Sequence, residues 1–141
     1  MNTYDENWEH HSYDDKPAII WSDGKKEWFQ NGKRHRDKDL PAIIWLNNYQ
    51  AWYQHGECHR DNDLPAVIHA NGSKYWYQHN KLHRDNGPAV IFANGTQYWY
   101  QNEVLHRDNN RPAVIYPNGK KEYWIHGEKV TSKVNWMKVG F

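Results

Sequence analysis

Histidine is the side chain best placed to do chemistry in this chain. There are 10 histidines in 141 residues, and four of them, His35, His59, His83 and His106, fall at intervals of 24, 24 and 23. Repeating units that stack would bring such imidazoles near one another, and the pairs His55/His59 and His79/His83 lie four apart. Metal binding is the first chemistry to consider. Those pairs straddle a turn, however, and no Cys or carboxylate cluster completes a tetrahedral ligand set. The same histidine recurring in every unit fits a structural task, such as bonding the backbone of a turn. No metal and no other cofactor is expected.

Each of the four histidines opens a His-Arg-Asp triplet. The triplet is similar to one in the catalytic loop of protein kinases, but here it comes without a Gly-rich loop or the necessary length. An active site is normally singular, so a motif present in every repeat reads as architecture. Its Arg and Asp are expected to pair locally or between rungs, worth ~0–1 kcal/mol if exposed. Cys58 occupies the place held by Arg34, Leu82 and Leu105 elsewhere and reads as a filler. A lone cysteine allows no internal disulfide and fits a reducing, cytoplasmic setting. No enzymatic activity is expected.

The elements carrying these residues follow from the period. Pro-Ala recurs at Pro17, Pro41, Pro65, Pro88 and Pro112, Trp at Trp28, Trp52, Trp76 and Trp99, and Ile at Ile20, Ile44, Ile68, Ile91 and Ile115. Each unit holds two short β-prone runs around Asn-Gly or a substitute, then a second turn such as Asn31-Gly32 or His55-Gly56. The expected fold is all-β: an elongated single antiparallel sheet of about five tandem 24-residue β-hairpin repeats. Residues 17–130 form the repeats, 1–16 an N-terminal cap and 131–141 a C-terminal cap. Only Ser132–Val139 carries any helical periodicity.

A two-residue type I′ turn at Asn94-Gly95 would pair Ile91 with Tyr98 and Val90 with Trp99. That register places Val90, Phe92 and Trp99 on one face and Ala89, Ile91, Tyr98 and Tyr100 on the other. Both faces then carry aromatic ladders, and a sheet this small cannot readily bury both. The Trp column, nearly constant, is assigned to the core. The column Glu27, Ala51, Tyr75, Tyr98, Glu122 varies between copies, as a recognition surface does. Tyr53, Tyr75, Tyr77, Tyr98 and Tyr100 are the candidate partner-binding residues.

Composition sets the remaining bounds. The aliphatic share is low, but 9 Trp and 10 Tyr with a net charge of +1 argue for a folded chain. No apolar run approaches a membrane span, the first residues lack a secretory pattern, and no basic groove favours nucleic acid. Residues 1–16 carry five acids before the first Lys, whereas Lys120–Phe141 holds five Lys against two Glu. Polar ends suit solenoid caps, and their opposite charges would also permit head-to-tail self-association.

The phrases Glu27-Trp28-Phe29-Gln30-Asn31-Gly32-Lys33 and Tyr75-Trp76-Tyr77-Gln78-His79-Asn80-Lys81-Leu82 resemble MORN-type repeats of the divergent W-Y-x-N-G-K variety. The His-Arg-Asp-x-x-Pro-Ala segment resembles repeats abundant in giant-virus and phage proteins. The similarity spans roughly residues 17–130. His-Arg stands where the standard pattern has glycines after the lysine. The resemblance implies a scaffold or protein-interaction surface, and a small viral or phage effector acting on a host protein in the host cytoplasm. The expected partner is a protein. The alternative is a small ligand or single-stranded nucleic acid stacking on the aromatic ladders.

Overall fold

The computed structural model describes residues 1–131. The stretch Ser132–Val139 and nearly all of the C-terminal cap lie outside the described residues.

Turn chemistry sets the strand pattern. At the first turn of the fourth unit, the Gly95 amide donates to the Phe92 carbonyl (2.8 Å) and the Phe92 amide to the Thr96 carbonyl (2.9 Å). Of Asn94 and Gly95 only the glycine has positive φ, 89°. This is a three-residue loop, a type I turn closed by a G1 bulge, and not the type I′ turn expected. The side chain of Asn94 decides between them: its Oδ1 accepts the Thr96 amide at 2.9 Å, a local bond that draws Ala93 into the loop. Asp23, Asn47, Asn71 and Asn118 accept equivalently. In the second unit Asn48 itself adopts the left-handed conformation, at φ 67°.

The extra loop residue shifts the register by one. Val90 faces Tyr98 and Ile91 faces Gln97, so the expected pairing of Val90 with Trp99 is corrected. A one-residue slip exchanges faces, and Val90 and Phe92 therefore belong with the tyrosines. Type I′ geometry occurs at the second turn, where both central residues have positive φ: 48° and 73° at Asn31-Gly32, 48° and 66° at Asn102-Glu103.

The first hairpins, with Glu128–Val130 added at the end, join into one long antiparallel sheet of 11 strands in hairpin order. One column across it reads Ile19, Glu27, Ile43, Ala51, Val67, Tyr75, Val90, Tyr98, Val114, Glu122. Its aliphatic members are buried. The other column alternates Ile with Lys or Gln, from Ile20 and Lys26 to Ile115 and Lys121, the pattern of a water-facing side. The second hairpins, such as Tyr53–Gln54 with Glu57–Cys58, form four two-stranded ladders. Turn-to-strand bonds stack them: the Gly56 amide on the Arg34 carbonyl, Asn80 on Cys58, Glu103 on Leu82 and Gly127 on Leu105, at 2.8–3.0 Å.

Tryptophan marks the elbow between the two hairpins. The Trp52 amide donates to Ala66 of the next unit at 2.8 Å, while the Trp52 carbonyl accepts the His59 amide of its own unit at 3.1 Å. Trp28, Trp76 and Trp99 repeat both bonds. The paired alanines, together with Ala18, have no exposed surface at all. In the fifth repeat Lys121–Ile125 continues through Tyr123 as one strand.

The N-terminal segment is a degenerate half-repeat. Thr3 takes the tryptophan's place, donating to Ala18 and accepting from His11. Asn2 pairs with Ile19 and Tyr4 with His10.

Gly95 offers a direct check on the turn. A Cβ there would meet nothing within 4 Å, so only the left-handed backbone resists substitution. Gly95→Val is expected to cost ~1–3 kcal/mol, whereas Gly95→Asn, which copies Asn48, should cost far less. Urea melts of both variants test this. Equal loss from both would mean that packing, not φ, governs the site.

Candidate partner-binding surface

Two sides of the repeat array carry different chemistry. On one side the His-Arg-Asp triplet locks each elbow. The Arg60 guanidinium lies 3.8 Å from the Trp52 ring centroid, and Arg36, Arg84 and Arg107 lie 3.8–4.0 Å from Trp28, Trp76 and Trp99. Arg60 also holds Asp39 of the preceding unit through both Nε (2.8 Å) and Nη2 (2.9 Å), and donates through Nη1 to the Pro65 carbonyl at 3.2 Å. Arg36 grips Asp15, and Arg84 grips Asp63, in the same way. The carbonyls of these three aspartates accept Trp28, Trp52 and Trp76 Nε1–H at 3.0 Å. The pairing between rungs thus uses a different aspartate from that of the triplet.

The triplet's own aspartate serves the histidine. Asp37, Asp61, Asp85 and Asp108 bond Nε2 of His35, His59, His83 and His106 at 2.8–2.9 Å. The Nδ1 atoms accept the turn amides of His55, His79, Asn102 and His126. Accepting at Nδ1 requires the proton at Nε2, so each imidazole is a fixed bridge. Among the described residues no group of three or more His, Cys, Asp or Glu could hold a metal ion.

Asp15, Asp39 and Asp63 are held below the ordinary carboxylate value, chiefly by their arginine hydrogen bonds, with burial opposing and the arginine charge adding. A depressed folded pKa contributes stability above the unfolded value, near 3.8, that is lost as pH falls through the folded value. The share of stability that these carboxylates supply should therefore hold down to about pH 5 and be lost in more acidic solution. Asp39→Asn should flatten the acid limb of melting temperature against pH. An unchanged limb in that variant would show that these pairs do not govern acid stability.

The opposite side is aromatic. Tyr53, Tyr75, Tyr77, Tyr98 and Tyr100 are all half-buried. The structure places Tyr53, Tyr75 and Tyr77 around one cluster, packed with Tyr49 against Ile43, Ala51, Cys58, Ala66 and Val67. Tyr98 and Tyr100 stack on each other at 6.3 Å, one unit or more further along. A row of rings joins the two groups: Trp45–Tyr49 (5.1 Å), Tyr49–His69 (5.2 Å), His69–Tyr75 (4.9 Å), Tyr75–Phe92 (6.0 Å) and Phe92–Tyr98 (5.5 Å). A cavity of about 360 Å³ opens in it, lined by Tyr49, Tyr53, His69, Tyr75, Tyr77 and Asn80 among others. Burial pushes the Tyr49 phenol up to about 12 and raises Tyr53, Tyr77 and Tyr100 as well. These phenols stay neutral hydrogen-bonding groups at physiological pH. Burial likewise pushes the Cys58 thiol up to about 12, leaving it an unreactive core group.

Charged pairs flank the row. Glu27, almost fully buried, is held by Lys25 and by Arg34 Nε (3.2 Å). Burial raises its pKa, but the two cations outweigh burial and keep it low. Arg34 also lies 5.7 Å from both Phe29 and Tyr53. At the other end Glu122 accepts Trp124 Nε1–H at 3.1 Å and meets Lys129 at 3.2 Å.

Sequence reasoning did not assign Trp45, Tyr49, His69 and Phe92 to this surface, and the misplaced register is the reason for Phe92. The column Trp21, Trp45, His69, Phe92, Tyr116 keeps the repeat spacing, and that spacing was the available signal. Among the described residues no helix is long and apolar enough to cross a membrane. Compared with known protein families and with curated protein sequences, the chain matches none.

Proposed function

We propose that the protein is a non-catalytic binding module whose tyrosine-rich side receives a partner protein. The observation that carries this reading is the continuous row of half-exposed rings from Trp45 to Tyr100. The tryptophans and arginines of the other side are already committed to one another. Tyr and Trp bury much area at small entropic loss and dominate binding hot spots. Variation within the column, from Glu27 and Ala51 to Tyr75 and Tyr98, suits recognition of one shaped partner. The polar clusters recur in register, which suits architecture better than catalysis. The resemblance to MORN-type repeats of giant-virus and phage proteins favours an effector working on a host protein in the cytoplasm.

The cavity of about 360 Å³ falls within the size range of small-molecule sites, about 300–1,000 Å³. A planar ligand stacking among Tyr49, Tyr53 and Tyr75 is therefore the second reading. Single-stranded nucleic acid is disfavoured, because Lys25 and Arg34 beside the rings are both engaged by Glu27, which offsets one of their two charges.

Capture from host lysate separates these readings. The wild-type chain should retain a protein that Tyr75→Ala/Tyr98→Ala releases, with the far-UV spectrum of the double variant unchanged. A captured protein held equally by both chains would place binding elsewhere. Retention of a small molecule, with no protein, would favour the second reading.

A further inference from the structure

The third repeat is one residue short, and the shortening falls on the side opposite the tyrosines. Where the second unit ends Asp61-Asn62-Asp63-Leu64 before Pro65, the third ends Asp85-Asn86-Gly87 before Pro88. The position of Asp63 is gone, and a Cβ at Gly87 would approach the Arg84 guanidinium to 2.9 Å. Two donors lose their partners together. Arg107 stacks on Trp99 and donates through Nη1 to the Pro112 carbonyl, like its three counterparts. Its Nε and Nη2 edge, however, meets no carboxylate among the described residues. Trp99 Nε1–H likewise has no acceptor among them, whereas Trp28, Trp52 and Trp76 each donate to an aspartate carbonyl.

Both donors face a cavity of about 440 Å³ whose walls include Gly87, Trp99, Gln101, Arg107 and Arg111. Arg111 brings a second cation, its Nε bonded to the Asp108 carbonyl at 3.3 Å. Asp85 and Asp108 also border the space, but each is bonded to a histidine. Desolvation first, and Arg111 second, lower the Arg107 pKa, as befits a guanidinium lacking its counter-ion.

We propose that this cavity is a carboxylate-binding site, in which a carboxylate from outside the repeat array takes the place that Asp15, Asp39 and Asp63 fill in the other units. The three filled copies define the geometry: two parallel bonds from Nε and Nη2 at 2.7–3.1 Å. A planar carboxylate fits that fork. The source is either a free small acid or an acidic side chain of a peptide.

NMR titration of the full chain tests the proposal, with sodium acetate, an acetylated Gly-Asp-Gly amide peptide and inorganic phosphate as probes. Acetate or the peptide should shift the Arg107 Nε–H and Trp99 Nε1–H resonances saturably. The Arg84 Nε–H and Trp76 Nε1–H resonances, whose site Asp63 already fills, should stay still. Response to acetate and peptide alike identifies a free-acid site, and a clear preference for the peptide identifies a side-chain site. Arg107→Gln should weaken binding ~10-fold or more. Inserting Asp between Asn86 and Gly87, which restores the full period, should abolish binding in a chain at least as stable as wild type. Equal response at Arg84 and Arg107, response to phosphate alone, or undiminished binding in the stable insertion variant would each overturn the site.

Discussion

Trp52→Ala is expected to lose ~3–5 kcal/mol of stability, the range of a large aromatic truncation in a core. Three losses coincide there. The ring is 5% exposed, so its removal leaves a cavity. The Asp39 carbonyl loses the Nε1–H bond. Arg60 loses the face on which it stacks, while still tied to Asp39 and Pro65. A stability of 5–15 kcal/mol is usual for a domain, so a chain near the low end would unfold. Urea titration gives the number. A loss below about 1 kcal/mol would show that the Trp–Arg–Asp lock is not what joins the units.

Ala66→Leu should cost ~1–3 kcal/mol or more, through overpacking. Ala66 has no exposed surface, donates to Tyr75 and accepts from Trp52. It also belongs to the cluster beneath Tyr49, Tyr53, Tyr75 and Tyr77. A longer side chain must push either the elbow or the tyrosine side. The substitution should therefore lower the melting temperature and, in chains that stay folded, disturb the aromatic near-UV signal. A neutral result would mean that the cluster has room that the structure does not show.

The period of 24, the all-β class and the burial of the Trp column were legible because each rests on a residue type with one dominant structural use. The register was not. Asn-Gly serves both type I′ turns and type I turns with a G1 bulge, and the bond from Asn94 Oδ1 to the Thr96 amide is invisible in a string of letters. That single residue moved Val90 and Phe92 across the sheet. That Tyr98 and Tyr100 share a side did not depend on the pairing, since alternation links them whatever the register. The joining rings, His69 and Phe92, needed the true pairing. The task of the histidines was anticipated in kind, but their partners lie 19 or 20 residues away in the next unit, a distance fixed only by stacking.

In the proposed function the tyrosine side meets the partner while the tryptophan side holds the array together. Affinity of Tyr98→Ala for the captured partner tests it most directly, measured by calorimetry alongside a melt of the same sample. Binding should be weaker by ~1–3 kcal/mol, with a melting temperature close to wild type. Unchanged affinity in a folded Tyr98→Ala chain, with binding lost instead in a folded Trp99→Ala chain, would contradict it.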